Sequence, residues 1–282
     1  MDSEGPSRTA LVTAYARAYH QVADRPLIFT DPLAARALGV TADGLTESLG
    51  RATEPGTALD RPRRLFFAAR SRFAEDRVAV TGARQVVILG AGLDTFAYRN
   101  PNPDLRVFEV DHPDTQDWKR RLVTAAGLDH PAGLTFVPVD FETDTLATRL
   151  AAAGFSRTEP AVFVWLGVVF YLTPDAAHST LEYIAGQDAP VEVVFDYLQP
   201  ADTDEDRAYL EARARRLAAI GEPFVNYFTP ADIAAQLRVL GFTDIEDHPA
   251  PDLITGYLDD STEFDEDSAR TLRASRMIRA GR

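Results

Sequence analysis

The hydrophobic and polar positions of this chain change rhythm once, near residue 83. Before that point the spacing is helical. Leu11, Tyr15, Ala18 or Tyr19, and Val22 recur every three or four residues, which predicts an amphipathic helix from Arg8. Thr30-Asp31-Pro32 reads as a second helix start, with a capping side chain and a proline whose missing N–H costs nothing in a first turn; Leu33, Ala37 and Leu38 carry it to Gly39. Residues 41 to 60 give mixed signals, and Leu65 to Val80 is a further amphipathic helix. Afterwards short apolar runs near 85–89, 105–110, 134–139, 161–166 and 191–197 alternate with helical stretches at Thr115–Ala126, Thr143–Ala153 and Pro174–Gly186. That alternation predicts an α/β fold, a parallel sheet covered on both faces. A charged helical segment at 201–221 interrupts it. Thr229-Pro230-Ala231-Asp232 then opens a helix, followed by strands at Phe242–Glu246 and roughly Arg273–Arg279. Residues 1 to 7 read as a disordered tail and the acidic run 259–267 as a solvated loop.

Composition narrows the partners. The 282 residues suffice for one large domain with an appendage or for two small ones. Acidic residues outnumber basic ones 43 to 29, a formal charge of −14 that repels phosphate backbones and argues against nucleic acid as partner. The nearest thing to a basic cluster is Arg61, Arg63, Arg64, Arg70 and Arg72. There are no cysteines, hence no disulfides or thiolate metal sites, and the five histidines (His20, His112, His130, His178, His248) lack metal-ligand spacing, so no metal is expected. The opening MDSEGPSRTA lacks a secretory profile and no apolar run reaches membrane-spanning length; a soluble cytoplasmic protein without membrane contact is expected. Nothing in the sequence bears on oligomeric state.

The candidate chemistry sits where the rhythm changes. In QVVILGAGLDT, the fully apolar Val86-Val87-Ile88-Leu89 breaks into Gly90-Ala91-Gly92, as a buried parallel strand does where backbone must pass close to a ligand. Twenty-one positions after Gly90, a second apolar run ends in Asp111, placed to accept hydrogen bonds from the hydroxyls of a ribose. Glu109 precedes it on the same strand, as a cofactor contact or as a buried ion-pair partner. A dinucleotide site wants a third glycine for the pyrophosphate; here that position is Thr95, and Asp94 adds a negative charge. A cofactor with an ammonium group fits better, and S-adenosyl-L-methionine has one. Its carboxylate calls for an arginine. Its adenine calls for an apolar slot with an acceptor, which Val139-Asp140-Phe141 supplies, although Asp140 also reads as a helix cap. His112 follows Asp111 and either lines the cleft or stands in a plain loop.

The stretches QVVILGAGLDTFAYR, RVFEVDHPDTQDWKR, VPVDF and WLGVVFYLT, together with FTDPLAARAL near the N-terminus, resemble the leucine carboxyl methyltransferase-like family over about residues 8 to 250. The resemblance implies a class I methyltransferase fold: a Rossmann-like, seven-stranded, mostly parallel sheet with its last strand antiparallel, and an N-terminal helical cap. Residues 1–80 are then the cap and 81–282 the cofactor-binding core, with a helical insertion near 200–225. It also implies S-adenosyl-L-methionine as cofactor, held by Gly90 and Gly92, by Asp111, and by Asp140-Phe141 where the family has Asp-Leu; Ala91 between the glycines and His112 after Asp111 are further cofactor-binding candidates. The family's carboxylate-binding arginine falls on Arg70, with Arg72 or Arg64 as alternatives. The family's Glu-Gly pair reads Leu166-Gly167 here, and its GLDTR arginine is Phe96.

The activity expected is O-methylation of a carboxylate or hydroxyl of a small molecule, with secondary metabolism as its setting and no catalytic residue nominated. A nicotinamide-dependent oxidoreductase and a cofactor-binding protein without catalysis are the alternatives. Tyr15, Tyr19, Tyr171, Tyr197, Asn226 and Tyr227 are expected to line the acceptor pocket, while Trp165 and Phe170 read as core.

Overall fold

The computed structural model of the chain describes residues 8–52, 57, 59–140, 144–259 and 262–282, so the expected tail over 1–7 lies outside the described residues. The N-terminal helices are α1 (Arg8–Ala23), α2 (Ala34–Ala37), α3 (Ala42–Ala52) and α4 (Arg61–Val80). Then follow β1 (Gln85–Leu89), α5 (Phe96–Arg99), β2 (Arg106–Asp111), α6 (Pro113–Ala125), β3 (Leu134–Pro138) and α7 (Leu146–Ala152). Next come β4 (Ala161–Trp165), a 3-10 turn (Val169–Tyr171), α8 (Pro174–Ala185), β5 (Val191–Leu198) and α9 (Asp204–Ala218). The chain closes with α10 (Pro230–Val239), β6 (Asp244–Pro249), α11 (Ala250–Tyr257), α12 (Glu266–Arg270) and β7 (Ser275–Gly281).

The seven strands form one sheet in the order β3-β2-β1-β4-β5-β7-β6, with β1 to β5 parallel and β7 antiparallel between β5 and β6. The order reverses between β1 and β4, and such a reversal opens a crevice at the carboxyl ends of the strands. The alternation along each strand decides the layers. Val87, Leu89, Phe108 and Phe163 face the side covered by α7, α8 and α10. Val86, Ile88, Val107 and Val162 face the side covered by α4 and α11. Each such side chain, fully buried, contributes about 1.5–3 kcal/mol. α4 packs directly on the sheet, and Ala18, Tyr19, Ala34 and Leu45 form a smaller cluster among α1–α3.

Local capping explains several departures from the expected boundaries. α4 opens at Arg61, four residues before Leu65, because Asp60 accepts the Arg63 N–H and Pro62 stands in the first turn. The helix expected from Thr30 to Gly39 is a single turn, Ala34–Ala37, and the mixed segment after it contains α3. β6 begins at Asp244, since Phe242 is buried at the end of α10 with its N–H on the Leu237 carbonyl. The acidic run does not stay a loop to its end: Asp265 caps α12, which starts at Glu266. No helix among the described residues is long and apolar enough to cross a membrane.

Candidate active site

The crevice at the strand ends is a cavity of about 730 Å³, roofed by α1 and floored by the ends of β1, β2 and β4. Its centre is the turn after β1. Gly90 (φ 68°) and Gly92 (φ 47°) both hold left-handed backbone, which a β-carbon would strain. A Cβ on Gly90 would lie 2.4 Å from Val168 Cγ2, and one on Gly92 would lie 3.1 Å from Ala10 Cβ of α1. The turn is thus bare because the loop after β4 and the cap both press onto it.

Beside the turn, Asp111 ends β2. Its Oδ2 accepts the Gly92 N–H at 2.6 Å and its Oδ1 the His112 N–H at 2.7 Å. A carboxylate has about four acceptor positions, so each oxygen keeps one for a ligand. Burial pushes the Asp111 carboxyl above its ordinary range, against the two backbone N–H groups that favour its ionised form. A hydroxylated ligand donating to both oxygens would replace the lost solvation.

At the far end Arg70 reaches in from α4. It is buried, its Nη1 lies 2.6 Å from Asp196 Oδ2, and the other Asp196 oxygen accepts the Gly167 N–H at 2.5 Å. Of the three arginines considered for this position only Arg70 lines the cavity. Arg64 is bound to Asp24 and the Leu59 carbonyl, and Arg72 to the Ile28 carbonyl.

Gly90, Ala91, Gly92, Asp111, His112, Leu166 and Arg70 are therefore brought into one wall. His112 also caps α6, accepting the Asp114 N–H. Asp140 is not in that wall. The Asp144 N–H bonds the Asp140 carbonyl and Asp144 Oδ2 accepts the Asp140 N–H, and it is Asp144 that lines the cavity. Val139 does line it, and Phe141 lies outside the described residues. Glu109 is fully buried against Lys119 Nζ at 2.5 Å, the ion-pair role of the two left open; burial pushes its carboxyl up to about 7 against the pull of Lys119.

The six residues expected at the acceptor pocket are not brought together; of them only Tyr171 lines the cavity. Tyr15 and Tyr19 face into the cap, ring against ring, with the Tyr19 hydroxyl on Ser48. Tyr197 is buried in the sheet with its hydroxyl donated to Asp247 on β6, Asn226 is buried behind Phe170, and Tyr227 is turned partly to solvent. Sequence reasoning also missed Arg17. It closes the cavity beside the turn, donating to the Leu93 carbonyl at 2.5 Å and lying 3.7 Å from Asp94. The helical spacing of Ala10, Thr13 and Arg17, the face next to the apolar stripe of α1, was the available signal.

Comparison with known proteins gives this wall its context. The family model for leucine carboxyl methyltransferase matches residues 10–185, a stretch that contains the turn, Asp111, Arg70 and Tyr171. The chain belongs to the leucine carboxyl methyltransferase family. It is 34% identical over 274 residues to YktD of Bacillus subtilis, named as an S-adenosyl-L-methionine-dependent methyltransferase, covering 87% of this chain and 89% of that one. A Mycolicibacterium gilvum protein of the same description is 32% identical over 251 residues, with 85% and 79% covered. The fold is likewise that of a crystal structure from Thermobifida fusca titled as a methyltransferase, with a TM-score of 0.57 at 17% identity, covering 95% and 93% of the two chains. This family member is an S-adenosyl-L-methionine-dependent methyltransferase of class I α/β architecture, which removes the nicotinamide-dependent alternative.

Proposed function

We propose that the protein methylates an oxygen of a small molecule, with a carboxylate as the best-fitting acceptor, and that the cavity wall holds the cofactor. The observation that carries the reading is Asp111, fixed by two backbone N–H groups with an acceptor position to spare on each oxygen, beside a turn that no side chain fills. In this reading Asp111 takes the ribose hydroxyls and Arg70 the carboxylate of the methionine moiety. Asp94 and the carbonyls of the turn face the ammonium, and Val139 and Leu146 flank the adenine. When bound, S-adenosyl-L-methionine supplies a methyl group on a positively charged sulfur, open to in-line displacement. The chain's own task is alignment, and the rigid strand ends with the cap above them supply it.

The choice of a carboxylate comes from what the wall lacks. A carboxylate is already ionised near neutral pH, whereas an alcohol must lose a proton. Among the described residues on the wall, His112 is engaged as the cap of α6, and Glu222 accepts the Thr9 N–H in the first turn of α1. Among the described residues the carboxylate nearest the His112 ring is Asp114, at 3.5 Å, and Asp114 does not line the cavity.

The decisive experiment is Asp111→Ala titrated calorimetrically with S-adenosylhomocysteine. Two charge-assisted hydrogen bonds are worth about 1.5–3 kcal/mol each, so affinity should fall at least about a hundredfold while the far-ultraviolet circular dichroism stays unchanged. Unchanged affinity would refute the assignment. Tight binding by the native chain without turnover on any carboxylate or phenol tested would favour a binding protein over an enzyme acting on such acceptors.

A further inference from the structure

Beyond Tyr171 lies a guanidinium with which no described residue pairs. Arg213 lies on the inward face of α9 with Asp206, Tyr209 and Leu210, and makes no hydrogen bond or ion pair to any described residue. Other partnerless arginines of the described chain, such as Arg121, Arg216 and Arg238, stand exposed in water. Arg213 is half-buried, and its nitrogens still meet solvent. Its Cζ lies 5.1 Å from the centroid of Phe224. That ring packs on Phe170 and Tyr171 with centroids 5.2 and 5.7 Å apart, and Tyr171 is on the main cavity wall.

The neighbouring charges do not resolve it. Arg63 is held by Asp60 and the Tyr209 hydroxyl, so it adds only repulsion; burial, then this like charge, pulls the Arg213 pKa down. Asp196 is already taken by Arg70 and the Gly167 N–H. Arg213 also borders a second cavity of about 450 Å³, where Asp206 and Glu266 are engaged by Arg273, while Asp202 and Asp252 are exposed.

We propose that Arg213 docks a negatively charged group of the methyl acceptor, with Phe224 and Tyr171 flanking the acceptor's body. The inference rests on the methyl-transfer reading above. Because Tyr171 lines the main cavity while Arg213 and Phe224 do not, the docked charge is separate from the oxygen that receives the methyl. The acceptor class is therefore an elongated organic acid, anchored at one end and methylated at the other.

The test uses the full chain saturated with S-adenosylhomocysteine and matched probes: 4-hydroxybenzoate, 3-phenylpropionate and indole-3-acetate, each against its primary amide. Ligand-observed NMR titrations give the dissociation constants. In the native chain at least one acid should bind about tenfold or more tightly than its amide, the loss expected when a charge-assisted pair is removed. Arg213→Gln should abolish that preference, Arg213→Lys should retain part of it, and neither should alter S-adenosylhomocysteine affinity. Equal binding of acids and amides by the native chain, or a preference that survives Arg213→Gln, would overturn the proposal. Failure of the native chain to bind S-adenosylhomocysteine would instead overturn the reading beneath it.

Discussion

Gly90→Ala probes the link between the glycine turn and the loop after β4. Two separable terms act on it. At φ 68° the new residue must occupy the left-handed region, which costs an L-residue about 1–2 kcal/mol. The added methyl would also sit 2.4 Å from Val168 Cγ2, so Val168 must move, an overpacking term of about 1–3 kcal/mol. Together they predict a loss of about 2–5 kcal/mol, which a domain of ordinary stability survives. Val168→Ala in the same chain removes the clashing carbon and should recover the overpacking part while the backbone part remains. Urea unfolding of the native chain, both single variants and the double variant yields this coupling directly, provided the denaturant slope stays constant. An unchanged midpoint for Gly90→Ala, or an equal loss with and without Val168→Ala, would refute the reasoning.

Two further outcomes concern groups near the site that the site does not use directly. Lys119→Met leaves Glu109 buried without its ammonium, and breaking a buried pair costs about 3–5 kcal/mol at pH 8. Glu109 already sits above its ordinary value in the folded chain, and losing Lys119 raises it further, so the folded state binds the extra proton. Stability of the variant must then rise as pH falls from 8 toward 5.5, narrowing its gap to the native chain. Urea midpoints at the two pH values check this, and an equal gap at both would sink it. Tyr197→Phe removes the hydroxyl bonded to Asp247; it should cost about 1–3 kcal/mol of stability yet leave S-adenosylhomocysteine affinity within twofold, and a larger affinity change by calorimetry would return Tyr197 to the pocket.

What the sequence revealed follows from range. The strand Val86–Leu89, its glycine turn and Asp111 were legible because each depends on periodicity or on a fixed spacing between adjacent parallel strands. Arg70 was singled out from two rivals by resemblance, and only the packing of α4 on the sheet sent Arg64 and Arg72 elsewhere. Tyr15, Tyr19, Tyr197 and Tyr227 lie away from the cavity for a related reason. An aromatic ring with a polar tip suits both a pocket and a core with a buried partner, and Asp247, fifty residues from Tyr197, gave no local hint. Asp144 lines the cavity where Asp140 was expected, and the two hydrogen bonds that join them follow no periodicity of the sequence. α11, which no expectation covered, shows Ala250, Leu253 and Ile254 buried on one face, a pattern short enough to pass for a loop between two prolines and an acidic run.

Asp31 gives the cap a consequence of its own. It lies off the cavity, yet its carboxylate accepts from the Leu33 N–H and the Thr95 hydroxyl, and lies 3.2 Å from Arg99 and 3.6 Å from Arg17. One side chain thereby ties the roof, the segment just past the glycines and the short helix beyond it into a single mechanical unit. Damage at this remote acid would surface as weak ligand retention, so a survey of variants confined to wall residues would overlook one of the positions that holds the wall in shape.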